Sequence, residues 1–144
     1  MGTDTMGRVT VTAMIENSGD LYMVEKGALA ADQVRRIEVN DALVDTGATG
    51  LSMPKSLIHQ LGLIPFRSRV ARTSSGTATF QVYGGVRLTI QGRDCHLDVV
   101  ELPDDCPVLI GQIPLESLDF VVDMSAHRLI GNPAHGGEHM IELY

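Results

Sequence analysis

Asp45, Thr46 and Gly47 stand in a row at the end of an apolar run, Ala42-Leu43-Val44, and lead into Ala48-Thr49-Gly50-Leu51-Ser52-Met53-Pro54. A carboxylate at the end of a buried strand is costly unless donors or a chemical use support it. Here a hydroxyl and a glycine follow at once. Thr46 can bridge to backbone or to a second copy of itself. Gly47 permits close approach of backbone and backbone angles closed to other residues. An Asp-Thr-Gly turn after a strand is also ordinary turn chemistry, so the flanks decide. Downstream, Pro107-Val108-Leu109-Ile110-Gly111 is a second apolar run that ends in glycine, and Gly111 lies 66 positions after Asp45.

Residues 42–53 resemble the active-site stretch of the retropepsin-like (retroviral-type) aspartic protease family, and 107–111 resembles that family's apolar-apolar-Gly segment. The resemblance covers roughly residues 36–123. The longer ends are more similar to bacterial single-domain relatives. It implies an all-β fold: a closed acid-protease barrel with one or two short helices, paired as a two-fold homodimer. Only one Asp-Thr-Gly is present, and this chemistry needs two carboxylates sharing a proton and a water. The resemblance therefore implies one Asp45 from each of two subunits as the catalytic pair. Thr46 would lock the two loops together and Gly47 would accept substrate backbone. Substrate contacts are expected from Ala48, Thr49 and Leu51, from a flap tip at Ser74-Ser75-Gly76, and from Val108, Ile110 and Gly111, with Met53 beside them. Gly111 would sit against the catalytic loop, where a side chain does not fit. The implied activity is an aspartic endopeptidase without metal or cofactor, and the alternative is a non-catalytic peptide-binding or scaffold dimer. Retroviral enzymes pair an Asp two places after the Gly of Asp-Thr-Gly with an Arg after the second Gly. Those places hold Thr49 and Gln112 here, so both partners of that ion pair are replaced.

At 144 residues the chain reads as one domain. Residues 1–7 read as a disordered or expression-derived N-terminus, and 131–144 as a C-terminal extension. The net charge of −7 argues against a nucleic-acid partner, which needs a basic stripe. No run is long and apolar enough to predict a membrane span, and the first residues lack the basic-then-apolar pattern of a secretory signal. Cys95 and Cys106 are few for a secreted scaffold. A cytoplasmic protein with two reduced thiols is expected, its partners being itself and a peptide or protein substrate.

Along the chain, 8–16 alternates as a strand, Asn17-Ser18-Gly19-Asp20 reads as a turn, and 21–25 as a second strand. Residues 34–39 read as a strand, with Asn40-Asp41 as a tight turn into the catalytic strand. Pro54 opens a helix over 55–61 that Gly62 closes. Strand pairs are expected at 67–73 with 77–83, 85–91 with 94–102, and 119–123 with 127–130. Residues 107–110 read as a buried strand, 114–118 as a short helix and 139–143 as an edge strand.

Two further motifs compete for chemistry. Asp123 in Val121-Val122-Asp123-Met124 looks like a decayed half-site, but it lacks the glycine and reads as a turn aspartate. His135-Gly136-Gly137-Glu138-His139 spells an inverted zinc-protease signature. That motif needs a helix, and Pro133 with two glycines argues against one.

Overall fold

The computed structural model describes residues 8–143; the expectation for 1–7 lies outside the described residues. The first strand, β1 (Val9–Asn17), sends Val9, Ala13 and Ile15 into the core. Asn17 ends it by capping a helix, α1 (Ser18–Glu25): its side-chain oxygen accepts from the Asp20 N–H at 3.0 Å, and its amide donates to Leu61 O at 2.7 Å. The turn expected at 17–20 is therefore the start of a helix, and the strand expected at 21–25 is its body. Asp20 is buried and takes the Arg35 guanidinium through two 2.9 Å hydrogen bonds and the Arg35 N–H through a third. The Arg35 side chain, the foremost cause, holds the Asp20 carboxyl below its ordinary pKa.

β2 (Arg36–Val44) runs unbroken to the Asp45 loop. It pairs antiparallel with β1, Ala13 opposite Val39 and Val11 opposite Ala42. Three steps on β2 thus match two on β1, so Asn40 and Asp41 sit in a bulge and not in the expected turn. After the loop come β3 (Leu51–Pro54) and α2 (Lys55–Gln60), and Gly62 takes a left-handed φ of 67° at the helix end. β4 (Ile64–Thr73) and β5 (Gly76–Ile90) form a long hairpin with its tip at Ser74-Ser75. β6 (Arg93–Leu102), the two-residue β7 (Leu109–Ile110) and α3 (Gln112–Ser117) follow. β8 (Phe120–Asp123) and β9 (Arg128–Gly131) make a separate hairpin.

The sheet order is β1-β2-β7-β3-β6-β5-β4, and β1 also pairs with β5. Among the described residues six strands thereby close into a barrel, and β4 stays outside it, joined only to β5. The expected all-β barrel is present, with α1 added to the two helices anticipated near 55–61 and 114–118. Ile15, Leu51, Met53, Ile58, Leu61, Leu88 and Ile110 fill the interior. No strand forms at 139–143. That segment is held instead by Asp119, whose carboxylate accepts the Met140 N–H at 3.0 Å and meets the His135 ring at 2.7 Å. Cys95 is buried, Cys106 partly exposed, and both are free thiols. No helix of the described residues is long and apolar enough to cross a membrane.

Candidate active site

The Asp45 loop is built by two segments that lie far apart in the sequence. Val108 O accepts from Leu43 N at 2.8 Å and Ile110 O from Asp45 N at 2.9 Å, so the strand that carries Asp45 is zipped to the 108–110 segment. Beyond Ile110 the direction of donation reverses. Gly111 N donates to Gly50 O, Gln112 N to Ala48 O and Ile113 N to Thr49 O, all within 2.8–2.9 Å. The loop carbonyls thereby receive the first N–H groups of α3, which have no partner inside that helix. A Cβ on Gly111 would lie 2.6 Å from Ala48 O and 2.7 Å from Gly50 O. Both are backbone atoms, so the site requires glycine, as the resemblance implied.

Within the loop, Asp45 Oδ1 accepts the Gly47 N–H at 2.9 Å, and Asp45 O accepts the Ala48 N–H at 3.0 Å. The first bond orients the carboxylate. A Cβ on Gly47 would approach that same oxygen to 3.3 Å. Asp45 is half-buried, while Thr46, Gly47 and Thr49 are exposed. The loop therefore presents one carboxylate, one hydroxyl and bare backbone at the surface of the chain.

The other expected site residues divide into two groups. Ser74, Ser75 and Gly76 form the exposed hairpin tip, where Thr73 Oγ1 donates to Gly76 O at 2.9 Å. Ala48 and Thr49 stay on the loop surface. Leu51, Met53, Val108 and Ile110, expected as walls of a substrate pocket, are 0–3% exposed and belong to the barrel core. The reason is the two-residue period of a strand: in 108–110 the outer members point inward. Leu109 lies between them, half-buried and paired opposite Leu43 and Ser52, and it faces the other way.

A groove of about 450 Å³ runs beneath the hairpin, lined by Thr73, Ala78 and Phe80 on one side and by Leu102, Pro103 and Lys55 on the other. Glu101 anchors the hairpin's base, accepting from Gln81 N at 3.0 Å and from the Tyr83 hydroxyl at 3.1 Å. Burial, helped by this carboxylate, raises the Tyr83 hydroxyl pKa, so it stays a donor. Asp104 accepts the Ser56 N–H at 2.8 Å and ties the loop after β6 to α2.

The competing motifs have other duties. Asp123 accepts from Ser125 Oγ, Ser125 N and Ala126 N at 2.7–3.3 Å and closes the turn between β8 and β9. The His135–His139 stretch is no α-helix: Pro133–His135 is a 3-10 turn, and Gly136 and Gly137 take φ of 66° and 78°. Both ring nitrogens of His135 face carboxylates, Asp119 at 2.7 Å and Glu142 at 2.6 Å, and His139 Nε2 contacts Ser117 O at 3.2 Å. Among the described residues no group of three or more His, Cys, Asp or Glu is placed to hold a metal ion.

Comparison with known proteins bears on the same segments. No curated protein matches the chain. The solution structure of the simian foamy virus (mac) protease is similar over 76% of this chain and 93% of that one, at 21% identity and a TM-score of 0.47. The model of the family described as "gag-polyprotein putative aspartyl protease" matches residues 36–117, which is 82 of the 144 residues. That span begins with β2, carries Asp45-Thr46-Gly47, the hairpin and Gly111, and ends with α3. The chain belongs to this family of gag-polyprotein aspartyl proteases.

Proposed function

We propose that the protein is an aspartic endopeptidase whose active site forms between two copies of the chain. Each copy contributes Asp45. Two carboxylates brought together cannot both ionise cheaply, so the pair holds one proton. The ionised member takes a proton from a trapped water, which attacks the scissile carbonyl. The protonated member donates to the oxygen on which charge develops. The C–N bond breaks as the amine leaves with a proton, and no covalent intermediate forms. Thr46 from each copy fastens the loops across the axis, and Gly47 with Ala48 and Thr49 offers backbone to an extended substrate. The hairpin tip, Ser74 to Gly76, closes over it. The substrate is a peptide or protein, and the setting is a bacterial-type cytoplasm.

The observation that carries this reading is the half-site itself. One surface carboxylate is oriented by the Gly47 N–H, on a loop braced by the Gly111 segment, and no second carboxylate is built into that loop. Incubation with a denatured protein tests it. Wild type should cut and Asp45→Asn should not, with a loss of about 10²–10⁴-fold or more, the range for a positioned acid or base. Sedimentation should show a dimer. Peptide binding with no cleavage in wild type would establish the non-catalytic dimer instead, and cleavage abolished by a chelator would point to metal chemistry.

A further inference from the structure

The charges of this chain are segregated. All 18 acidic residues lie outside 46–93, and that stretch carries six basic ones, Lys55, Arg67, Arg69, Arg72, Arg87 and Arg93. Two are committed to the fold. Arg87 pairs with the buried Glu16 at 2.8 Å, and Arg93 donates to the carbonyls of Leu118, Asp119 and Gly137. Arg67, Arg69 and Arg72 make no salt bridge among the described residues. All three sit on β4, the strand outside the barrel, where every residue except Ala71 is exposed.

Among the described residues β4 pairs with β5 alone, so its far side offers a row of unpaired N–H and C=O groups, Pro65 excepted. The register assigns the arginines to faces. Arg67 lies opposite Val82 and Arg69 opposite Phe80, on the face that carries Ala78 and Thr73 over the groove. Arg72, opposite Thr77, lies on the other face with Val70. An arriving strand would thus meet guanidinium groups above and below its plane. The same charges repel the β4 edge of another copy, which blunts edge-to-edge aggregation, and they attract an edge of opposite sign.

We propose that the free edge of β4 docks an extended acidic segment of the polypeptide substrate by strand addition, with its carboxylates against Arg67, Arg69 and Arg72. Main-chain hydrogen bonds to the edge give affinity, and the alternating guanidinium groups give the preference for acid. The inference rests on the protease reading above and names its substrate class: proteins with acidic, unfolded stretches near the scissile bond.

Binding can be read apart from catalysis with the Asp45→Asn chain. The probes are a labelled dodecapeptide with glutamate at alternate positions and its glutamine counterpart, followed by fluorescence anisotropy at low salt. The glutamate peptide should bind about tenfold more tightly, each single change Arg67→Gln, Arg69→Gln or Arg72→Gln should narrow that ratio about two- to threefold, and the triple variant should bring it close to one. A melting curve confirms that the variants fold, as exposed sites allow. Equal affinity for both peptides, or an unchanged ratio in the triple variant, overturns the proposal. So does preferential binding of a DNA oligonucleotide, or a salt-sensitive self-association that the triple variant abolishes, which would give the edge to another copy of the chain. Wild type cutting both peptides with equal kcat/KM defeats the docking and leaves the protease reading standing. An intact binding ratio with neither peptide cut leaves the docking surface and defeats the protease reading.

Discussion

Gly111 and Ala48 touch through backbone: the Gly111 Cα approaches so closely that an added Cβ would lie 2.6 Å from the Ala48 carbonyl oxygen. That same oxygen accepts the Gln112 N–H at 2.9 Å, so the contact cannot open without losing a hydrogen bond. Gly111→Ala should therefore push the α3 segment off the Asp45 loop. Overpacking of this kind costs about 1–3 kcal/mol, and here it falls on backbone with no rotamer to yield. Urea unfolding should show the loss, and cleavage should fall further than stability alone explains. A variant with wild-type stability and activity would mean that the loop relaxes freely.

Dilution and pH test the proposed pairing of Asp45. Specific activity should fall as the protein is diluted below its dimerisation constant, because each copy alone has one carboxylate. The rate profile should be bell-shaped, since activity needs one proton shared by two groups. Ala48→Ser adds a hydroxyl to the same loop, three residues after Asp45, and a bond from it to the carboxylate should move the profile toward acid, because a donor favours the charged form. A monomer with full activity at any dilution would remove the half-site argument.

His135 and Asp119 predict how the C-terminal segment responds to pH. Hydrogen bonding to His135 is the chief cause that lowers Asp119 from 3.8 to about 2, with Met140 N–H and Asn132 contributing. A depressed carboxylate stabilises the fold above its unfolded value, and that share is lost as pH falls through about 2. Asp119, then Glu142, raises His135 above 6.5. A raised histidine stabilises fully below 6.5, and its share is lost as pH rises through its folded value. The clasp should be firmest between the two ordinary values, 3.8 and 6.5. Hydrogen exchange at the Met140 amide checks this: protection should weaken on the alkaline side, and His135→Gln should abolish that dependence.

Glu16 gives a stability prediction far from the Asp45 loop. It is 5% exposed and holds Arg36 at 3.0 Å and Arg87 at 2.8 Å, joining β1, β2 and β5 where the barrel closes. Glu16→Gln strands two guanidinium groups that are each more than a third exposed. The cost should be about 1–3 kcal/mol, less than for a fully buried pair because water reaches the arginines. Denaturant titration measures it. An unchanged midpoint would show that solvent replaces the carboxylate.

Local signals decided what the sequence disclosed. Asp45-Thr46-Gly47 after an apolar strand, Pro54 before α2, the Ser74-Ser75 tip and the 108–110 run all depend on near neighbours, and each lies where its residues place it. The errors arose where a distant partner decides. Asn17 and Asp20 look like turn residues, but as a cap and an Arg35-bound carboxylate they begin α1. Asn40-Asp41 has turn chemistry, yet β1 continues alongside and converts it into a bulge. Residues 139–143 have strand composition, but Asp119 and His135 claim the chain first. For the candidate site, the loop was legible and the pocket walls were not. Apolar character marks Leu51, Val108 and Ile110 as important without saying which side of the sheet they serve.

The bracing of the Asp45 loop also sets a timetable for biosynthesis. A ribosome adds about 5–20 residues per second, and the chain's partners for the loop, Gly111, Gln112 and Ile113, emerge only after dozens of further residues. Until then Ala48, Thr49 and Gly50 keep their carbonyls unclaimed and Asp45 has no strand to receive its N–H. A nascent or truncated chain that stops short of Ile113 carries Asp45-Thr46-Gly47 without the hydrogen bonds that brace the loop.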